Sequence, residues 1–373
     1  MSTAGPPESA PDASAIAARL REAAFVRLFA APDGDALAAL GLLARALGER
    51  DVAYQASVTR RPIADADADL TVAVGRSGGD LALAGTTALS VTASGVARAL
   101  DATPDAALAL AGAYAAGDDP GAHADLLDAA GLDRRAGIAA PTDDLADGLA
   151  HTTLAHAPFS GRPEAAAKAL AGVEREGRTL ASLLALSVLE GASDAPRASE
   201  AVERALRPYA PGGPFDTLAG YGDVLDAVAR ARPGVGVALA LGHDRRDAAL
   251  DAWREHARAA HEAVREAALE RYDGYVVVRA ACGSALDTVA RLVRDFRSPE
   301  PIAVAIDGEA GSAAVAADRD VATLVSETAA AVGGRATGRG RRAHVDLAED
   351  GEDGENGAGP EAFIETLRRG LRA

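Results

Sequence analysis

Two aspartates two residues apart, Asp33 and Asp35 in FAAPDGDALAA (29–39), lie between an apolar run and an alanine-rich stretch with helical spacing. A carboxylate pair at the C-terminal end of a strand is a common way to hold a divalent metal. In open α/β folds that edge is also where ligands bind. The same residues also suit a turn in which Asp35 caps the following helix by accepting backbone N–H groups. Three hundred residues downstream, GGRATGRGRR (333–342) carries a different chemistry. The paired glycines Gly333 and Gly334 let backbone approach a phosphate and offer it N–H groups. Arg335, Arg339, Arg341 and Arg342, interleaved with Gly338, add bidentate donors suited to phosphate. A glycine turn with solvated arginines is the alternative, but four clustered arginines in so acidic a chain favour anion binding.

Other metal-binding residue types are sparse. Cys282 is the only cysteine, which excludes an intrachain disulfide and any cysteine-based zinc site. His151 and His156 are five apart, about 140° off one helical face, and His256 and His261 share that spacing. His123, His243 and His344 are isolated in sequence.

The elements that must position these residues follow from periodicity. FVRLFA (25–30), VAYQASV (52–58) and DLTVAV (69–74) read as strands, with TALSV (87–91) a weaker one, and DALAALGLLARALGER (35–50) as an amphipathic helix. Alternating strands and helices predict a parallel sheet with helices on its faces. Residues 95–230 read as mostly helical. HDRRDAALDAWREHARAAHEAVREAALERY (243–272) has no breaker and reads as one connector helix of about 28 residues, about 42 Å long. YVVVRA (275–280), PIAVAI (301–306) and AHVDL (343–347) are strands of a second α/β pattern, with helices at 287–296 and 320–332. The expected organisation is a tail (1–14), a first domain (15–242), the connector (243–272) and a smaller α/β domain (273–373) containing an acidic, Gly-rich disordered insert (348–360).

With 373 residues, 49% of them hydrophobic, the chain can bury a sizeable core, built mainly from Ala, Val and Leu because only 3% are aromatic. Acidic residues outnumber basic ones 55 to 38, and Lys168 is the single lysine, leaving 37 arginines. Acid excess with so little lysine predicts a cytoplasm at very high salt. The net charge of −17 does not exclude nucleic acid there, since at about 1 M salt the Debye length is about 3 Å and local arginine clusters decide. No signal-peptide pattern opens the sequence, and no 18-residue window is free of charge and glycine, so a soluble cytoplasmic protein without a membrane partner is expected.

The order strand, PDGDA, helix, two strands, helical region, long connector and a C-terminal α/β domain carrying VGGRATGRG resembles the DHH phosphoesterase superfamily, in particular its RecJ-like branch. The stretch PFDTLAGYGDVLDAVARARPGVGVALALG (214–242) resembles the segment before the connector in archaeal RecJ-like proteins. The resemblance implies two Mn²⁺ or Mg²⁺ ions about 3.5–4 Å apart that clamp a phosphate. Most of the implied ligand positions are changed. The first-motif histidine falls on Ala31 or Phe29, the aspartate ending a later strand on Gly75, and a further acid near Ala116, with Asp118 displaced. The Asp-His-His tripeptide is absent from TTALSVTASG (86–95). Asp33 and Asp35 remain, enough for one weakly held Mg²⁺. Gly333, Gly334 and Arg335 stand where the family has a substrate-touching Gly-Gly-His. The resemblance with degenerate motifs implies an inactive RecJ-like protein without a resident cofactor. It would bind single-stranded DNA or RNA, or replication partners such as GINS. The alternative is an active exonuclease or small phosphoesterase using Mn²⁺ or Mg²⁺.

Overall fold

The computed structural model describes residues 13–61, 67–85, 87–173, 177–192, 195–347 and 359–372. Nearly all of the expected N-terminal tail and of the acidic insert lies outside them.

The first domain is built on four parallel strands in the order β2-β1-β3-β4. After α1 (Ala13–Glu22) come β1 (Phe25–Ala30), α2 (Gly34–Glu49), β2 (Ala53–Val58), β3 (Leu70–Val74) and β4 (Leu81–Leu83). Strand β1 alternates, burying Val26, Leu28 and Ala30, whereas β3 is buried at every position, as expected for an interior parallel strand covered on both faces. Helix α2 is almost wholly buried, enclosed by α3 (Leu89–Ala99), α4 (Ala106–Ala116), α10 (Leu218–Ala231) and α11 (Pro233–Ala240). Such packing needs small side chains, which the alanines supply.

Residues 89–91 open α3, with Ala88 at its N-cap, and 87–91 do not form the weak strand expected there. Leu89, Ala93, Val96 and Ala97 are buried on one face, so the 3.6-residue period of the whole segment outweighs the short β-branched run. The fourth strand is Leu81–Leu83 instead. Between α4 and α10 the chain is mainly helical as expected: α5 (Ala124–Ala130), α6 (Leu145–His151), α7 (Pro163–Ala169), α8 (Gly177–Gly191) and α9 (Ala198–Glu203). A two-stranded pair, β5 (Asp133–Arg134) and β6 (Tyr209–Ala210), ties the ends of this region together.

The connector, α12, runs from Arg246 to Glu266, about 31 Å, shorter than the stretch read from the sequence. Its side bearing Trp253 is locked to α10, with the indole Nε1 donating to Asp223 Oδ2 at 2.8 Å. Residues 269–272 are not helical: they form β7 (Leu269–Tyr272), which turns at Asp273-Gly274 into β8 (Tyr275–Arg279). Gly274 has φ +86°, and Asp-Gly is a favoured tight-hairpin turn.

The C-terminal sheet has six strands, β11-β12-β10-β9-β8-β7, antiparallel except for the β8–β9 pair. Helix α13 (Leu286–Phe296) follows β8, and β9 (Ile302–Asp307), β10 (Ser312–Ala317) and α14 (Ala322–Ala331) come next. GGRATGRGRR, for which no strand was expected, is largely a hairpin: β11 (Arg335–Arg339) pairs with β12 (Arg342–Asp346) across Gly340-Arg341. Helix α15 (Pro360–Arg372) closes the domain. Among the described residues no helix is long and apolar enough to cross a membrane.

Candidate functional site

The β11–β12 hairpin reaches across to the carboxyl edge of the parallel sheet, and a cleft of about 360 Å³ lies between them. Asp33 lines it, as do Ala116 and Asp118 at the end of α4. From the other side come Gly338, Arg339, Arg341, Arg342 and His344. Gly338 is required there because a side chain would collide with the facing strand at Ala343. Gly333, Gly334 and Arg335 do not line the cleft. The Gly333 and Gly334 N–H groups donate to carbonyls of the last turn of α14, so they cap a helix and are not turned toward the cleft.

The two aspartates of the PDGDA turn have separate tasks. Asp33, not Asp35, caps α2: its Oδ1 accepts from the Ala36 N–H at 2.8 Å. Burial raises the Asp33 carboxyl pKa, and the Arg339 guanidinium pulls it back down. Asp35 is 1% exposed and does not line the cleft. Its Oδ1 accepts from the Ser90 N–H at 2.9 Å, and its Oδ2 accepts from the Leu89 N–H at 2.8 Å and from the Arg339 guanidinium. The carboxylate thus sits on the N-terminus of α3, where helix-end amides and dipole favour negative charge. Arg339 donates from its other terminal nitrogen, Nη1, to Thr87 O at 2.9 Å.

Beside this pair, at Ala31 and Gly75, the lining is apolar. Gly75 has φ +69°, and a side chain there would meet Leu89, Ala36 and Ala31. Ala31 itself is buried. The positions where the resemblance places metal ligands therefore converge on one spot and carry no donor besides the two aspartates. Among the described residues, no group of three or more His, Cys, Asp or Glu is arranged to hold a metal ion. The side chains present do not fit a two-metal centre.

A second set of charges fills the cleft floor. Arg230, 5% exposed, contacts Asp226 at 2.5 Å and Asp287 at 3.7 Å. Asp226 Oδ1 also accepts from the Gly34 N–H at 3.0 Å, fixing the start of α2. Asp287, the first-turn acid of α13, takes Arg60 at 3.3 Å and the His344 Nδ1 at 2.9 Å. Burial alone would raise the Asp287 carboxyl pKa, but His344, Arg230 and Arg60 hold it well below the usual range. Burial would lower the Arg230 pKa, and Asp226 and Asp287 hold it above normal.

The His344–Asp287 contact predicts a pH dependence. Burial would lower the His344 pKa, and the Asp287 carboxylate overrides it and raises it. The histidine's contribution is therefore complete below its unfolded pKa of about 6.5 and lost as pH rises through the raised folded value. That of Asp287 is present above about 3.9 and lost as pH falls toward its depressed value. Wild-type stability in urea, measured at constant molar KCl, is expected to fall as pH rises above about 6.5, and His344→Gln should flatten that decline.

Seven arginines line the cleft against three aspartates, Arg204 and Arg294 completing the set. Five of the seven have a carboxylate within ion-pairing distance. Arg341 and Arg342 have none among the described residues. Arg342 donates only to the Ala115 carbonyl, at 3.2 Å. Burial, with Arg291 and other guanidinium groups crowding it, pushes its pKa down to about 10. The Asp226 carboxylate offsets this only in part, and a crowded, desolvated cation with no carboxylate in direct contact is a site that an anion would stabilise.

Several of these residues had a readable signal. Asp226 and Arg230 are four apart on α10, a standard helical ion-pair spacing, and Arg342, His344 and Asp346 recur every second residue along one strand. Arg60 and Asp287 had none, because each acquires its role only when the two domains meet. The histidines judged too far apart for a shared site do meet in one case, from different elements. His156 and His261 stack with their Nδ1 atoms 3.0 Å apart, and burial lowers both pKa values, that of His156 to about 4.

Comparison with known proteins places this geometry in context. A family model described as "Uncharacterized protein rrnAC1427, C-terminal domain" matches residues 267–369, which begin just after α12. The protein rrnAC1427 of Haloarcula marismortui is 49% identical over 344 residues, covering 88% of this chain and 91% of that one. Among solved structures, CDC45 from Entamoeba histolytica aligns over 94% of this chain and 95% of its own, with a TM-score of 0.51 and 10% identity. RecJ from Thermus thermophilus in complex with Mn²⁺ aligns over 97% of this chain and 54% of its own, with a TM-score of 0.48 and 13% identity. At such identity the CDC45 match shows a shared fold, a parallel-sheet domain joined to a separate C-terminal sheet domain.

Proposed function

The chain belongs to the rrnAC1427 family, and from the cleft described above we propose that it is a RecJ-like protein of DHH type in which guanidinium groups have taken the place of metal ions. It binds the phosphodiester backbone of single-stranded DNA or RNA without hydrolysing it, in DNA replication or repair, and needs no resident metal. The contact of Arg339 with Asp35 carries this reading. A metal centre needs free carboxylate lone pairs and an open coordination position for water. Arg339 supplies positive charge beside Asp35 but no position at which a water could be activated. The charge balance near a bound phosphate is kept while the hydrolytic step is lost.

The phosphate is held by the cations that lack carboxylates. Arg341 and Arg342 lie at the hairpin tip and can turn donors toward a backbone entering the cleft, with Arg204 and Arg60 along its walls. A replication protein as partner, such as GINS, belongs to the same proposal and rests on the RecJ-like resemblance of the sequence.

The test is fluorescence anisotropy of a labelled single-stranded oligonucleotide in molar KCl with EDTA. The full chain is expected to bind, and Arg341→Ala with Arg342→Ala to weaken binding at least about tenfold, two charge-assisted bonds being lost. Counter-ion release contributes little at that salt, so the loss reports hydrogen bonding in the cleft. Unchanged affinity in the double variant would remove the assignment.

A further inference from the structure

The arginine cleft does not end at the tip of α4. Gly117, Asp118 and Arg204 line it on one side and a second cavity, of about 300 Å³, on the other. This second space opens between α9 and the β5–β6 pair. Its wall holds Tyr209, with the Arg134 guanidinium lying over the ring, 4.8 Å from its centroid. The two residues face each other across β5–β6, so backbone pairing sets this arrangement. Asp119, which also lines the cavity, lies 3.5 Å from the Arg134 guanidinium. On α9, Glu200 and Glu203 stand one turn apart, both exposed and both lining the cavity, without an ion-pair partner among the described residues.

Three features coincide here. There is a flat aromatic and guanidinium surface in a chain with very few aromatics, a pair of free acceptors beside it, and direct continuity with a phosphate-sized cationic cleft through Arg204. Tyr and Arg planes stack on bases of any sequence, and carboxylates select among bases by accepting from their N–H donors. Because Arg204 lines both spaces, a phosphate bound there would bring its attached base to the second cavity.

We propose that this cavity is a nucleobase subsite that takes one base of the strand whose phosphates occupy the cleft. The base stacks against the Arg134–Tyr209 pair, and Glu200 or Glu203 accepts from its Watson–Crick edge. Guanine is the preferred occupant, because its N1–H and N2–H₂ groups donate in parallel to a single carboxylate. The inference rests on the reading of the cleft as a nucleic-acid interface, and adds base preference to it.

Anisotropy with three labelled twelve-residue strands tests it on the full chain in molar KCl with EDTA: d(GT)₆, d(T)₁₂ and a strand of abasic sugar-phosphates. The wild type is expected to bind them in that order of decreasing affinity. Tyr209→Leu should lower d(GT)₆ affinity about tenfold, as loss of one stacked base does, and leave the abasic strand unaffected. Tyr209→Phe keeps the ring and should retain binding, which separates stacking from a folding defect. Glu200→Gln with Glu203→Gln should abolish the preference for d(GT)₆ over d(T)₁₂. Equal binding of the abasic and base-bearing strands by the wild type, or an equal loss for both in Tyr209→Leu, would overturn the subsite and leave the cleft standing. No binding of any strand would remove the cleft reading and the subsite with it.

Discussion

Arg230→Met is expected to destabilise the protein by about 3–5 kcal/mol, the range for removing one partner from a buried ion pair. The guanidinium stands between Asp226 and Asp287, with its own side chain 5% exposed and theirs 15% and 14%. Methionine fills much of the same volume, so the loss is electrostatic and not a cavity effect. Without Arg230 the two carboxylates face each other, and Asp33 lies in the same field. The damage reaches α2 as well, since Asp226 is what receives the Gly34 N–H. Urea unfolding at constant molar KCl measures it. Adding Asp287→Asn to the variant should recover part of the loss, because one of the unpaired charges is then gone.

Arg339→Ala is the second large effect, with an expected loss of about 3 kcal/mol. Asp35 then keeps its two α3 amides but loses its cation while 99% covered. The Arg339 side chain is a quarter exposed, so water entering the gap moderates the cost. Arg339→Lys should restore less than half. An ammonium group cannot reach both Asp35 and the Thr87 carbonyl with the planar fork that the guanidinium uses. Comparing urea midpoints for the three proteins gives the answer. Equal stability of the lysine and arginine forms would mean that charge alone matters at this position.

The architecture was legible where periodicity is strong and local. Strands β1, β2 and β3 and helix α2 stand within a residue or two of where the alternation places them. The misread and unread segments share a physical cause, the dominance of surroundings over local preference. Ser312–Ala317 is SAAVAA, a run with little β-propensity, and became a strand because both its neighbours in the sheet and α13 bury it at every position. Residues 269–272 continued a helical charge pattern, yet Asp273-Gly274 offered a hairpin turn and a free edge of β8 to pair with.

The site divides in the same way. Asp33 and Asp35 could be located from the sequence, since a strand and a helix flank them closely. What holds Asp35 could not, because Arg339 is 304 residues away and sat in a stretch read as binding an external anion. Within that stretch, pairing of β11 with β12 gives the four arginines different fates. Arg335 remains outside the cleft, Arg339 is spent on Asp35, and Arg341 and Arg342 line the cleft with no carboxylate within ion-pairing distance among the described residues.

The most direct test of a guanidinium-filled, non-hydrolytic cleft is a cleavage time course. An end-labelled single-stranded oligonucleotide is incubated with the full chain in molar KCl, with Mn²⁺ in one arm and EDTA in the other, and the strand lengths are resolved at saturation. The predicted result is a strand bound equally well in both arms and intact in both. Shortening of the strand in the Mn²⁺ arm that disappears in Asp33→Ala would contradict it.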